Sequence, residues 1–348
     1  MEEVRKATCQ ICGKKSFLVS SFLGVCGECI EERFSAALPW IVKAHERIRR
    51  EFGISYRGES AHPACHLCVR HCGEGESFCG LLREGRRWAG TFARGLLEWY
   101  YDNLPTNCVA SFVCPEREHR GYQNLAVFYG GCNFNCLFCQ NWHHRYLVQR
   151  AQPLVSVEEL ERALHPRVAC VCFFGGDPIP QLAHALAFSR RVKDRVRICF
   201  ETNGAVHPRL LHEMFSLCVE SGGILKFDLK AWSDKLHRAL TGVSNELVLG
   251  NFAWAMEKAK EYSQVVVVAS TLLVPGYVTV REVRNLAHFI VRRNPAIPYA
   301  LLAFAPNFYL DNLPATSVSH AEEALHACEE AGLTSLSLGN RFLLSYSY

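Results

Sequence analysis

The sequence predicts an α/β fold: a partial or full (β/α) barrel with a small cysteine-rich N-terminal metal-binding domain. Three observations carry the prediction. From residue 122 onward, apolar strand-like runs alternate with helical stretches, the pattern of a parallel sheet with helical crossovers. The conspicuous polar residues of that region fall at the C-terminal ends of the runs, the face where β/α barrels gather their active sites. That placement favours a barrel over a doubly wound sheet. Finally, 13 of the 18 cysteines precede residue 140, which concentrates soft ligands in the N-terminal third.

In chain order, residues 1–58 are read as zinc-ribbon-like knuckles plus a helix. Residues 59–121 form a cysteine-rich segment plus a helix, and residues 122–348 form the core barrel. The helix-like segments of the first two parts are 31–52 and 86–102, and the boundary before the barrel is placed near Pro115–Gly121. Seven runs rich in Val, Ile, Leu and Phe are expected as buried parallel strands: Asn124–Tyr129, Val168–Phe174, Val196–Glu201, Ile224–Leu229, Gln264–Leu273, Tyr299–Phe304 and Thr334–Leu338. Ser156 with Glu159 spells a capping box, and Ser319 with Glu322 is read as a second helix start.

Charge excludes some partners. Residues 1–120 carry 17 Lys+Arg against 15 Asp+Glu, and residues 121–348 carry 21 against 19, so each part is +2. This even balance argues against a large nucleic-acid footprint. Met1 to Lys6 is charged and lacks the apolar core of a secretory signal. The longest apolar stretch, Val265 to Pro275, is too short to span a bilayer. A cytoplasmic protein is expected, and cytosolic cysteine clusters bind metals more often than they form disulfides.

The knuckles are Cys9-Gln10-Ile11-Cys12 and Cys26-Gly27-Glu28-Cys29, two C-x2-C pairs separated by 13 residues. This is zinc-ribbon spacing, and four thiolates close a structural site. A single rubredoxin-like iron is the alternative. Next comes Cys65-His66-Leu67-Cys68-Val69-Arg70-His71-Cys72 followed by Cys79, a C-x2-C-x3-C-x6-C run. It departs from ferredoxin spacing, and an auxiliary cluster and a second zinc are both open, with His62, His66 and His71 as substitute ligands. Cys108 and Cys114 are either ligands or buried thiols. Cys170, Cys172, Cys199, Cys218 and Cys328 are read as core residues.

The most informative run is Cys132-Asn133-Phe134-Asn135-Cys136-Leu137-Phe138-Cys139, a C-x3-C-x2-C with no fourth cysteine close behind. A cubane cluster takes four thiolates, so three leave one iron open, and an open metal position is where chemistry occurs. Structural zinc fits a lone triplet poorly.

This run resembles the signature of the radical S-adenosylmethionine (SAM) superfamily. Later segments resemble its pyruvate formate-lyase activating-enzyme-like branch, and the Cys65–Cys79 run is similar to a segment of AmmeMemoRadiSam-type proteins. Gly175-Gly176-Asp177-Pro178 stands where that family has Gly-Gly-Glu-Pro. Glu201-Thr202-Asn203-Gly204 stands for acid-Thr-Asn-Gly, with Glu where Asp is common, and Phe227-Asp228-Leu229-Lys230 for Leu-Asp-Leu-Lys. Thr241-Gly242-Val243-Ser244-Asn245 and Val274-Pro275-Gly276-Tyr277 match loop segments of the branch.

The resemblance implies a barrel of the radical SAM type with a [4Fe-4S] cluster on Cys132, Cys136 and Cys139. It implies SAM held by Gly175, Gly176, Asp177, Glu201, Asn203, Asp228 and Lys230. It further implies an oxidoreductase-class enzyme in which reductive cleavage of SAM yields a 5′-deoxyadenosyl radical that abstracts a hydrogen atom. A glycyl-radical-activase-like protein modifier is the expected function, reduced by flavodoxin or ferredoxin and acting on an unidentified substrate, with a partner protein as precedent. A radical SAM enzyme acting on a small molecule or RNA is one alternative; a non-enzymatic Fe–S or zinc scaffold or redox sensor is another. An Asp228–Lys230 structural ion pair is the competing reading of those two residues. No catalytic residue is assigned, although His143 and His144 follow the cysteine loop closely.

Overall fold

The structure is a computed structural model that describes residues 6–54, 65–73, 75, 77–106 and 108–346. The N-terminal part contains β1 (Ala7–Thr8), β2 (Lys15–Ser16), α1 (Gly27–Glu32) and α2 (Phe34–Glu51). Then come β3 (Leu82–Arg83), β4 (Arg86–Arg87) and β5 (Arg94–Asn103). The barrel region runs β6 (Gln123–Tyr129), α3 (His144–Arg150), β7 (Leu154–Ser156), α4 (Val157–Arg162), β8 (Val168–Gly175), α5 (Leu182–Val192), β9 (Arg197–Thr202), α6 (Pro208–Ser221) and β10 (Leu225–Asp228). It continues with α7 (Asp234–Thr241), α8 (Glu246–Ala259), β11 (Val267–Leu273), α9 (Val280–Val291), β12 (Tyr299–Ala303), α10 (Val318–Ala331) and β13 (Leu336–Gly339).

Nine strands form one sheet in the order β13-β12-β11-β10-β9-β8-β6-β5-β7. β6, β8, β9, β10, β11, β12 and β13 pair in parallel, one for each of the seven expected runs. The pairings run in one line from β13 to β7 rather than in a ring, so the architecture is the partial barrel. β11 is buried at every position, as a strand covered on both faces should be. The capping box at Ser156 and Glu159 is present with both bonds made.

Two expectations change. The stretch 86–102 is not helical: it contains β4 and the long strand β5, which pairs antiparallel with β6 (Leu97 opposite Tyr129, Asn103 opposite Gln123) and with β7. Trp99, Tyr100 and Tyr101 prefer an extended backbone, and Leu96 and Leu97 are fully buried in the sheet. The second expected cap also moves: Ser317, not Ser319, caps α10 by accepting from His320 N, while Ser319 Oγ donates to Glu323.

The N-terminal knuckles pack onto the loop after β11. Tyr277 is buried there; its hydroxyl accepts from Ser20 N at 2.9 Å and donates to Val25 O at 2.8 Å. The Pro-Gly-Tyr segment therefore holds the knuckles to the barrel. No helix among the described residues is long and apolar enough to cross a membrane.

Candidate functional site

The Cys132–Cys139 loop leaves the C-terminal end of β6. Gly131, with φ of 83°, makes the turn that a β-carbon would strain. The loop is held from below by the end of α7: Asn135 N donates to Thr241 O at 2.9 Å and Leu137 N to Leu240 O at 3.0 Å. The Thr241-Gly242 segment is thus a support for the cysteine loop. Buried Arg145 adds a bond to Asn135 Oδ1 at 2.9 Å.

Cys132, Cys136 and Cys139 line one cavity of about 150 Å³ together with Gly175, Gly176, Asp177, Glu201, Thr202, Asn203, Asp228 and Lys230. Every SAM-site residue expected from the sequence reaches this cavity. Gly176 has no room for a side chain, because a β-carbon would run into the Gly131 carbonyl and the His144 ring.

The acids differ in what they touch. Asp177 Oδ1 accepts from Ile179 N at 2.9 Å and Oδ2 from Asn203 N at 2.7 Å, while Thr202 Oγ1 lies 3.1 and 3.2 Å from the two oxygens. Burial pushes its pKa up to about 7 against those bonds and the charge of Lys230. The shorter acid is therefore committed to the protein, where it positions Asn203. Asn203 in turn donates to Asn133 Oδ1 at 2.7 Å and approaches Cys132 Sγ at 4.0 Å.

Asp228 and Lys230 form the ion pair of the competing reading, yet both also line the cavity. Burial opposes the charge on Lys230, but Asp228 and the thiols of Cys136 and Cys139 raise its pKa. Asp228 Oδ1, His144 Nδ1 and Arg145 Nε are buried without a partner among the described residues. Burial raises the thiol pKa of Cys136 to about 12, and Lys230 opposes the rise. A cation positioned to favour thiolates, with three convergent sulfurs, suits a soft metal cluster. His144 is buried and burial drives its pKa far down, whereas His143 stacks on Phe128 at 4.6 Å.

Sequence reasoning missed Arg145 and Lys226. Lys226 is 1% exposed, with Nζ 2.9 Å from Cys172 Sγ, 3.2 Å from Cys108 Sγ and 3.4 Å from Glu201 Oε2. It lines a second cavity of about 270 Å³ in the barrel lumen, which shares Asn141, Phe174 and Glu201 with the first. Cys108, Cys114, Cys170, Cys172 and Cys199 face this lumen, while Cys218 and Cys328 are fully buried core. A lysine inside the apolar run Leu225–Phe227 was the available signal.

Elsewhere, the thiols of Cys9, Cys12, Cys26 and Cys29 lie within 4.8 Å of one another. His66 and His71 are exposed, and His62 lies outside the described residues.

Residues 126–290 match the Radical SAM superfamily. An uncharacterised protein of Methanocaldococcus jannaschii is 23% identical over 292 residues, 79% of this chain and 80% of that protein. The pyruvate formate-lyase 1-activating enzyme of Escherichia coli K12 is 29% identical over 129 residues, 35% of this chain and 52% of the enzyme. The chain thus spans about half the length of that relative. A solved domain of a pyruvate-formate lyase-activating enzyme from Bacteroides vulgatus shares 20% identity over 49% of this chain and 99% of that domain, with a TM-score of 0.40.

Proposed function

We propose that this chain, which carries a radical SAM domain over residues 126–290, abstracts a hydrogen atom from its substrate and is a protein modifier of the activating-enzyme kind. The observation that carries the chemistry is the convergence of three sulfurs, the Gly175-Gly176 turn, Glu201 and the Asp228–Lys230 pair on one cavity. When bound there, a [4Fe-4S] cluster with one open iron supplies SAM chelation and the electron that splits SAM into methionine and a 5′-deoxyadenosyl radical.

The chain's own residues bind and orient. Cys132, Cys136 and Cys139 would hold the cluster. Lys230 supplies a point charge for a carboxylate. Asp177 fixes Asn203 and Thr202. Glu201, about a third exposed, presents acceptors between the two cavities. Phe134, Leu137 and Phe138 are buried and keep water from the cysteine loop. At the knuckles, a zinc with Zn–S near 2.3 Å needs sulfurs roughly 3.8 Å apart, and Cys12 and Cys26 stand at 3.9 Å. Four thiolates closing on a zinc there would make a structural site.

The likeness to the Escherichia coli activating enzyme supports the protein-modifier reading, with flavodoxin or ferredoxin as reductant. The lumen cavity of about 270 Å³ beside the site supports a second reading, a small-molecule substrate. The first test is anaerobic reconstitution, reduction with dithionite in the presence of SAM, and chromatography of 5′-deoxyadenosine, with Cys136→Ala as control. Product from the intact triplet alone supports the chemistry. A full cluster that neither binds nor cleaves SAM favours a scaffold. A glycyl-radical signal in a co-incubated partner then separates protein modifier from small-molecule enzyme.

A further inference from the structure

We propose that Cys65, Cys68, Cys72 and Cys79 hold a second iron–sulfur cluster that delivers electrons to the Cys132 loop. The delivery role rests on the radical SAM reading above; the cluster itself does not.

The segment is built onto the cysteine loop. Val69 N donates to Ala205 O at 3.2 Å and His207 N to Leu67 O at 2.9 Å, an extended pairing with the turn after β9 that contains Asn203. Buried Arg70 crosses to the loop itself: its Nε donates to Asn133 O at 2.8 Å and Nη1 to Gly242 O at 3.1 Å. The Cys79 carbonyl oxygen lies 3.0 Å from where a β-carbon on Gly131 would stand, one residue before Cys132. The Cys79 backbone therefore abuts the turn that leads into Cys132.

The sulfurs are provided with donors. Arg87 Nη2 donates to Cys65 Sγ at 3.3 Å, Phe78 N to Cys72 Sγ at 3.4 Å, and the Ser77 hydroxyl lies 3.3 Å from Cys79 Sγ. Hydrogen bonds to ligand sulfur stabilise thiolates and tune cluster potentials. Cys72 is buried while Cys65 and Cys79 are half-buried, so the set reaches from the interior to the surface, where a donor protein can approach.

Spacing favours a cluster over a second zinc. Among the described residues, the thiols that close to within 4.8 Å of one another are those of the knuckles, Cys9, Cys12, Cys26 and Cys29. The Cys65 set stays more open, as does the Cys132 triplet. Zinc draws its sulfurs to one centre, whereas cubane ligands sit on separate irons and stand farther apart.

The electron accounting is simple. One electron enters from an external one-electron donor of the flavodoxin or ferredoxin class and reduces this cluster. It then passes to the cluster on the Cys132 loop, and the first cluster returns to its oxidised state with no bond made or broken.

The experiment is metal analysis and electron paramagnetic resonance (EPR) of the anaerobically reconstituted full chain. About eight irons and about one zinc per chain are expected, with two reduced-cluster signals of which one shifts on adding SAM. A paired Cys68→Ser/Cys72→Ser variant should lose half the iron and keep the SAM-sensitive signal. It should still cleave SAM with dithionite but at least tenfold more slowly with reduced flavodoxin. About four irons with two zincs in the wild type overturns the proposal, and so does undiminished flavodoxin-driven cleavage in the variant. If that variant does not fold, a Cys132→Ala/Cys136→Ala/Cys139→Ala chain decides: half the iron with a SAM-indifferent signal supports the second cluster, and no iron overturns it. Eight irons without any SAM-sensitive signal supports the second cluster and sinks the radical SAM reading instead.

Discussion

Asn203 N donates to Asp177 Oδ2 at 2.7 Å, tying the end of β9 to the turn after β8. Ile179 N and the Thr202 hydroxyl use the same carboxylate. Asp177→Ala leaves three buried donors without an acceptor, at about 1–3 kcal/mol each before relaxation. The expected result is a loss of about 3 kcal/mol in urea unfolding, with weaker SAM binding because Asn203 is no longer held. A variant as stable as the wild type would show that the carboxylate is dispensable to the fold.

Lys230 is paired with Asp228 and is influenced by the thiols of Cys136 and Cys139, with Nζ 5.4 Å from the centre of the Phe138 ring. Lys230→Met removes the cation while keeping the stem. SAM affinity of the reconstituted protein should fall about tenfold or more, the scale of one charge-assisted hydrogen bond. Equilibrium dialysis measures it, and unchanged affinity would assign Lys230 to the structural ion pair alone.

Acid should destabilise the chain through its buried histidines. Burial lowers the pKa of His45, His184 and His237 from 6.5 to about 4. As pH falls below 6.5 the unfolded chain takes up protons on these rings and the folded chain does not, so folding stability declines between pH 6.5 and 4. Each ring accounts for up to about 3 kcal/mol at the acid end. His45→Gln should flatten the slope of stability against pH by one proton, as read from urea midpoints at pH 7 and 5. An unchanged slope would mean that His45 protonates freely in the fold.

Tyr277 joins knuckles to barrel through one hydroxyl. Tyr277→Phe leaves Ser20 N and Val25 O unpaired in a buried place, which should cost about 1–3 kcal/mol. In protein loaded with zinc, the metal should also leave the knuckles faster under chelator, followed by a metallochromic dye. Equal release rates would show that the knuckles fold without the barrel.

The sequence showed the parallel strands because their side chains are apolar on both faces, and it showed the site because β/α barrels place chemistry at strand ends. Cys132, Cys136 and Cys139 were legible from their spacing, and Asp228 and Lys230 from a resemblance of their segment to a known family together with their place at a strand end. β5 was not, because Leu96 and Leu97 followed by Trp99 and Tyr100 read locally as an apolar helix face. Its strand character comes from pairing with β6, a contact the local pattern does not contain. Asp177 was legible by position but not by use: nothing in Gly-Gly-Asp-Pro says that its oxygens face Asn203. The lumen cysteines were invisible as a set because Cys108, Cys172 and Cys199 belong to three separate segments.

β5 has a mechanical effect on the barrel. Because β6 already carries an antiparallel neighbour on its outer side, it has no ladder left to offer β13. A closed barrel is a hoop that widens only by breaking a ladder of hydrogen bonds. This sheet is a split ring, which can open or tighten its curvature while every strand pair stays intact. The width of the two cavities is therefore not set by a closing ladder of hydrogen bonds.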